Sequence, residues 1–248
     1  MKGVLSRTTT HAFHRDVYDC NDDSAYFLFV VRDPLDRARS AYYYDYPKFP
    51  RFYNKTLHCN FFQWEDYAHS MTANTNAPED CRRVAKKTLR GLVPYHRGPS
   101  HLLYNFQYYF EAVPKDAPIL VIRNEHIQAD WNSAEKLLGR KRDRLNMDEA
   151  TIPRNNANTS QRKQDLTDES TATLCEVLCN EIQVYKTILR RAENINEEQL
   201  QISLMELEAK CPVQAISDEC LDPMPDISLK LQDHRGYRLQ GDGKFVES

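Results

Sequence analysis

The chain has 248 residues, 41% of them hydrophobic, with 33 Lys and Arg against 36 Asp and Glu. That length suits one well-buried α/β domain, and a formal charge of −3 argues against a general nucleic-acid binder. No run of 18 apolar residues occurs, which excludes a transmembrane helix, and residues 1–14 lack the apolar core of a signal peptide.

Residues 1–20 read as a loop or short helix. Phe27 to Val31 is short, apolar and rich in aromatic and β-branched residues, which predicts a buried parallel strand. Asp33 then suits a helix N-cap and Pro34 the first helical position. Leu35, Ala38, Ala41 and Tyr42 recur at helical spacing, so a helix is expected to about Tyr44. The aromatic stretch that follows holds Pro47 and Pro50 and reads as irregular.

Helices are expected at 61–70, 79–90 and 102–113, the last strongly aromatic. A second strand is expected at Ile119–Ile122. A helix from Trp131 to Leu138 can be ended by Gly139. Residues 150–165 form a polar loop. One long helix is predicted from Thr167 to Ala192, with Leu174, Leu178, Ile182, Tyr185 and Leu189 on one face. Another helix is expected from Glu197 to Ala209. The sequence divides into a domain over 1–210 and a tail over 211–248, whose prolines and charged end predict partial disorder.

The cysteines do not fix a compartment. Cys59 and Cys81 flank one loop-rich stretch, and Cys211 and Cys220 another, and both spacings fit disulfides. Cys175 and Cys179, four apart on a predicted helix, fit buried packing. No Cys/His pattern has zinc spacing.

The chemistry centres on the junction after the first strand. Arg32 follows the strand, where nucleotides bind in open α/β sheets, and its guanidinium can grip a phosphate with two parallel bonds. Ser40 can add a hydroxyl. It lies six residues beyond Pro34, roughly 9 Å along the helix axis. A phosphate held by both would therefore lie on the helix flank. The alternative is that Arg32 pairs with Asp36 and Ser40 merely packs.

The string Arg32-Asp33-Pro34 with Arg37, Ser40 and Tyr42–Tyr44 resembles the Golgi-type sulfotransferases, especially the carbohydrate 2-O-sulfotransferase branch. Residues 96–110 and 121–131 resemble fungal sulfotransferase-like proteins, and the likeness spans roughly 8–210. The resemblance implies a P-loop-NTPase-like sulfotransferase fold, with a small parallel sheet flanked by helices. It implies 3′-phosphoadenosine 5′-phosphosulfate (PAPS) as co-substrate and a carbohydrate or other hydroxyl-bearing acceptor.

Residue by residue, it implies that Arg32 and Ser40 hold the 3′-phosphate. By position, Arg154, Thr159 and Lys163 match a loop that closes over the nucleotide; the competing reading is a solvent loop with Asp165 or Thr167 capping the next helix. His11, with His14 as second choice, matches the base that takes the acceptor's proton, a role suited to a pKa near neutrality. Arg97 and His101 are candidate acceptor contacts, and Glu125 matches a glutamate that braces the fold. The family's Lys- and Ser/Thr-bearing phosphosulfate loop is not found before Arg32. The chain is therefore expected to be N-terminally truncated, lacking a Golgi anchor as well. The alternative reading is an inactive remnant that binds adenosine 3′,5′-bisphosphate or nothing.

Overall fold

The computed structural model describes residues 26–45, 58–92, 100–103, 105–110, 113–139, 166–217, 219–220, 237–239 and 245–247. Strand β1 (Phe27–Val31) and strand β2 (Ile119–Arg123) pair in parallel, with Phe27 opposite Ile119 and Val31 opposite Arg123. The fold class expected from sequence holds at this level: α/β, mostly helical, around a small parallel sheet.

The two strands differ in burial for a topological reason. β2 is buried at every position because both its faces are covered: Ile119 and Val121 face the main core, and Leu120 and Ile122 lie under Ile127, Trp131 and Ala134; β1 pairs along one edge and residues 192–194 along the other. There Glu193 N donates to the Ile119 carbonyl at 3.0 Å. The Asn194 side chain imitates a strand, accepting from Val121 N at 2.7 Å and donating to Val121 O at 2.8 Å. β1 alternates instead: Leu28 and Val30 are exposed, while Phe27, Phe29 and Val31 face the main core.

Helix α1 (Pro34–Asp45) starts directly after β1. Oδ1 of Asp33 accepts from Leu35 N at 3.0 Å and Asp36 N at 3.2 Å, the N-cap expected from sequence. Its apolar face packs on α2 (Trp64–His69) through a knot of Tyr42, Phe61, Trp64 and Tyr67, which meets α3 (Glu79–Leu89) at Ala85. The two buried phenols find backbone acceptors: Tyr42 donates to Phe61 O at 3.1 Å and Tyr67 to Ala85 O at 2.9 Å. The Cys59–Cys81 disulfide closes the base of this knot.

Two long helices expected from sequence are each divided. Between 102 and 113 the chain forms α4 (Ser100–Leu103) and α5 (Phe106–Phe110). The break has a cause: buried Asn105 accepts from Tyr108 N at 3.1 Å and so starts α5 as a new helix. The expected helix over 167–192 is α7 (Asp168–Val177) and α8 (Cys179–Arg191), which meet at Leu178. Thr167 caps α7, accepting from Ser170 N at 3.1 Å.

Helix α6 (Ile127–Leu137) begins a turn earlier than expected. It lays Ala134, Ile127 and Trp131 over Leu120 and Ile122. Gly139, at φ +71°, ends it in the left-handed region that a glycine enters freely.

Beyond α8 come α9 (Glu197–Glu208) and α10 (Pro212–Ile216). The disulfides correct the sequence reading here. Cys211 and Cys220 do not pair with each other; Cys175 bonds Cys211 and Cys179 bonds Cys220. The half-cystines read as packing residues on one helix are the anchors for residues 211–220. Gln183 adds a hydrogen bond to Ser217 O at 2.8 Å. Strands β3 (Tyr237–Leu239) and β4 (Phe245–Glu247) form a separate antiparallel pair in the segment expected to be partly disordered.

Candidate functional site

The parallel pairing brings the carboxyl ends of β1 and β2 side by side, which places Arg32-Asp33 next to Asn124-Glu125. Arg32 is half-exposed, and its Nε lies 3.8 Å from Oε1 of Glu125. That Nε is buried and makes no hydrogen bond among the described residues. Arg32 is therefore not tied to Asp36, the pairing weighed against a phosphate role. Asp36 instead accepts from Lys210 at 2.7 Å.

Glu125 does what a brace does. Its Oε1 accepts the N–H of Asp33 at 3.2 Å and so locks the end of β2 to the start of α1. Lys210, from the turn after α9, reaches back to the same point. Its ammonium lies 3.4 Å from Oδ1 of Asp33 as well as bonding Asp36.

The electrostatics follow from crowded carboxylates in a partly dry setting. Burial pushes the Asp33 carboxyl above its usual value, although Lys210 opposes the shift. Burial does the same to Glu125, against the hydrogen bond from Asp33. Tyr185, beneath them on α8, is pushed far up by burial and by the charges of Glu125 and Asp33. For Lys210, burial pulls the ammonium down, but the bond to Asp36 and the Asp33 charge outweigh it and hold it above the usual lysine value. The strand ends thus carry Arg32 and Lys210 against Asp33, Asp36 and Glu125.

A second ion pair is structural. Arg123, the last residue of β2, is 2% exposed and grips Asp130 with Nε at 2.8 Å and Nη2 at 2.6 Å. Its Nη1 donates to Gln199 O and Ser203 Oγ, which docks α9 against the sheet. Every guanidinium nitrogen has a partner, so Arg123 has no role for a ligand.

Of the residues expected at the site, Arg32, Ser40 and His101 are described. Ser40 is exposed on α1 and points away from the core face formed by Leu35, Ala38, Ala41 and Tyr42. Tyr44, one turn further on, shares its face and meets the His101 ring at 4.0 Å between centroids. His101 is held by Asp45, which is fully buried: Oδ2 accepts the His101 backbone N–H at 2.7 Å, and Oδ1 lies 3.0 Å from Nδ1. Arg37 closes the group, donating to His101 O at 3.0 Å while bonding Glu181 at 2.8 Å. One flank of α1 thus presents Ser40 and Tyr44, with His101 of α4 against the Tyr44 ring and Arg32 two residues before the helix begins. His11, His14, Arg97, Arg154, Thr159 and Lys163 lie outside the described residues.

Further round α1, Leu35, Asp36 and Arg39 border a cavity of about 1000 Å³. Its other walls are α7 and the disulfide-bound segment after α9. Neither the cavity nor Lys210 was identifiable from sequence: Lys210 is 174 residues from Asp36, and no local pattern joins them. Among the described residues no group of three or more His, Cys, Asp or Glu could hold a metal ion, and no helix is long and apolar enough to cross a membrane. No protein-family model, curated protein or solved structure matches the chain.

Proposed function

We propose that the protein is a sulfotransferase of the PAPS-dependent kind, acting on a hydroxyl of a carbohydrate. The observation that carries this reading is the position of Arg32. It follows a strand of a parallel sheet, opens directly into a helix, and keeps its Nε buried without a hydrogen-bond partner. Carboxyl ends of parallel strands are where open α/β folds bind nucleotides. A guanidinium there can take a phosphate in a bidentate grip, with exposed Ser40 adding a hydroxyl from the helix flank.

In this reading the 3′-phosphate competes with Glu125 for Arg32, and Lys210 limits the repulsion from Asp33 and Asp36. Sulfuryl transfer then moves SO₃ from the phosphosulfate to the acceptor oxygen, as the acceptor's proton passes to a base and adenosine 3′,5′-bisphosphate leaves. His11 and His14 are the proposed bases. Arg154, Thr159 and Lys163 are the proposed nucleotide loop, and His101 with Arg97 the proposed acceptor contacts. Three disulfides among the described residues favour an oxidising compartment such as the Golgi lumen.

The test is transfer of radiolabelled sulfate from PAPS to desulfated heparin and to desulfated chondroitin. Labelled polysaccharide, lost in Arg32→Ala, supports the reading. Absence of label on both, with the nucleotide bound, favours the inactive remnant.

A further inference from the structure

We propose that His101 is the general base for the acceptor hydroxyl and that Asp45 positions it. The proposal deepens the sulfotransferase reading above and rests on it for its substrates. It makes His101 a rival of His11 and His14, which the resemblance matches to that role and which lie outside the described residues.

Asp45 is the last residue of α1 and is fully buried. His101 meets its carboxylate twice: Oδ2 accepts the backbone N–H at 2.7 Å, and Oδ1 lies 3.0 Å from Nδ1. A carboxylate accepts hydrogen bonds and donates none, so the ring proton sits on Nδ1. Nε2 is then the accepting nitrogen of the imidazole. The His101 side chain is 46% exposed, so a hydroxyl can reach the ring from solvent. A buried carboxylate behind a half-open imidazole fixes both the tautomer and the ring orientation of a histidine base. The same carboxylate faces the positive charge that forms once the ring takes a proton.

The rest of the residue is held as firmly. Arg37 Nη1 donates to His101 O at 3.0 Å, and Arg37 is itself locked onto buried Glu181. The Tyr44 ring packs on the imidazole, 4.0 Å between centroids. His126 lacks such support, because its carboxylate partner Glu206 is exposed. Fixing matters for a base, since a small displacement from the reacting atom costs much of the rate.

The surroundings suit the substrates. Ser40 and Tyr44 lie about one turn apart on α1, so a phosphate at Ser40 and a hydroxyl at His101 share a flank. Tyr44 is exposed there, and the negative face of its ring suits the C–H face of a pyranose. In the step, Nε2 takes the acceptor's proton as the acceptor oxygen bonds to sulfur. The bond from sulfur to the bridging phosphate oxygen breaks, and its electron pair leaves with adenosine 3′,5′-bisphosphate. The proton then passes from His101 to solvent.

The test is steady-state transfer of radiolabelled sulfate from PAPS to desulfated heparin and desulfated chondroitin, by the full chain and its variants. His101→Asn puts an amide N–H where Nδ1–H stood, so it keeps the bond to Asp45 and deletes Nε2. It should lower kcat at least about a hundredfold, the scale of general base catalysis, with KM for PAPS and bisphosphate binding unchanged. Activity retained by His101→Asn would make His101 a structural brace and overturn the proposal. A raised KM for the acceptor at unchanged kcat, the mark of a binding contact, would overturn it too. Asp45→Asn turns an amide N–H toward Nδ1 and drives the ring proton to Nε2, so kcat should fall at least about tenfold. Since Asp45 is buried and its variant can disturb packing, long-range nitrogen–proton NMR correlation reads the tautomer in the wild-type chain. The His101 signal is identified by its loss in His101→Asn. A proton on Nδ1 is expected, and a proton on Nε2 overturns the proposal. The two readings fail separately. No transfer to either polysaccharide by the wild-type chain sinks the sulfotransferase reading and this role with it; transfer unaffected by His101→Asn sinks this role alone.

Discussion

Oε1 of Glu125 lies 3.8 Å from Nε of Arg32, so the anion nearest the candidate phosphate grip belongs to the protein itself. The same oxygen accepts the N–H of Asp33, which makes Glu125 both a brace and a competitor. Glu125→Gln separates the roles, since the amide oxygen can keep the backbone bond while the charge is gone. Arg32 is half-exposed, so the gain is modest: adenosine 3′,5′-bisphosphate should bind up to about fivefold tighter, within about 1 kcal/mol. Calorimetry reads this directly, and weaker binding would show that Glu125 orients Arg32 rather than opposing its ligand.

The same variant carries a pH signature. Burial holds the Glu125 carboxyl above its ordinary value of 4.5. A group with a raised folded-state pKa adds stability that is fully present below the unfolded pKa and is lost as pH rises through the folded one. Glu125→Gln has no such loss. Its stability relative to wild type should therefore improve as pH rises from below 4.5 toward neutrality. Denaturant unfolding at several pH values checks the trend, and a gap that stays constant or moves the other way refutes it.

At the end of β2, Arg123 and Asp130 form an ion pair sealed from water, with side-chain exposures of 2% and 0%. Removing one partner leaves a buried charge uncompensated. Asp130→Ala should cost about 3–5 kcal/mol of stability. It should also loosen α9, because Arg123 carries the bonds to Gln199 and Ser203. Urea unfolding measures the first effect and amide hydrogen exchange over 197–208 the second; a loss below about 1 kcal/mol would mean that water reaches the pair.

The disulfide pattern makes a covalent prediction. Peptide mapping without reduction should recover Cys59 with Cys81, Cys175 with Cys211, and Cys179 with Cys220. A Cys211–Cys220 peptide would contradict the fold. Replacing Cys175 and Cys211 together by Ser should lower stability by about 2–4 kcal/mol. It should also weaken bisphosphate binding, because Lys210, next to Cys211, would no longer be held over Asp33 and Asp36.

What could be read from the sequence was what is local. The apolar run of β1, the Asp33 cap and the spacing of α1 each sit within a few residues, and the structure shows the strand, the cap and the helix; the burial predicted for β1 is corrected, since Leu28 and Val30 are exposed. Ile119–Ile122 stood out for the same reason, and Gly139 as a helix end. The division at Asn105 carried a local signal as well: an Asn within an aromatic helical stretch can restart a helix, but hydrophobic periodicity masked it. Long-range relations had no such trace. Lys210 against Asp36, Asn194 standing in for a strand beside Val121, and Asp45 beneath His101 join residues 174, 73 and 56 positions apart. The cysteine pairing failed on proximity: Cys211 and Cys220 are near in sequence, yet each has a partner on the α7–α8 helices.

The central claim is that Arg32 holds the 3′-phosphate of the nucleotide. Calorimetric titration of the 248-residue chain with adenosine 3′,5′-bisphosphate, beside Arg32→Ala, tests it most directly. The account predicts saturable binding that the substitution abolishes or weakens by at least about tenfold, the scale of a charge-assisted bidentate contact. Absence of binding by the folded wild-type chain, or equal binding by Arg32→Ala, would contradict it.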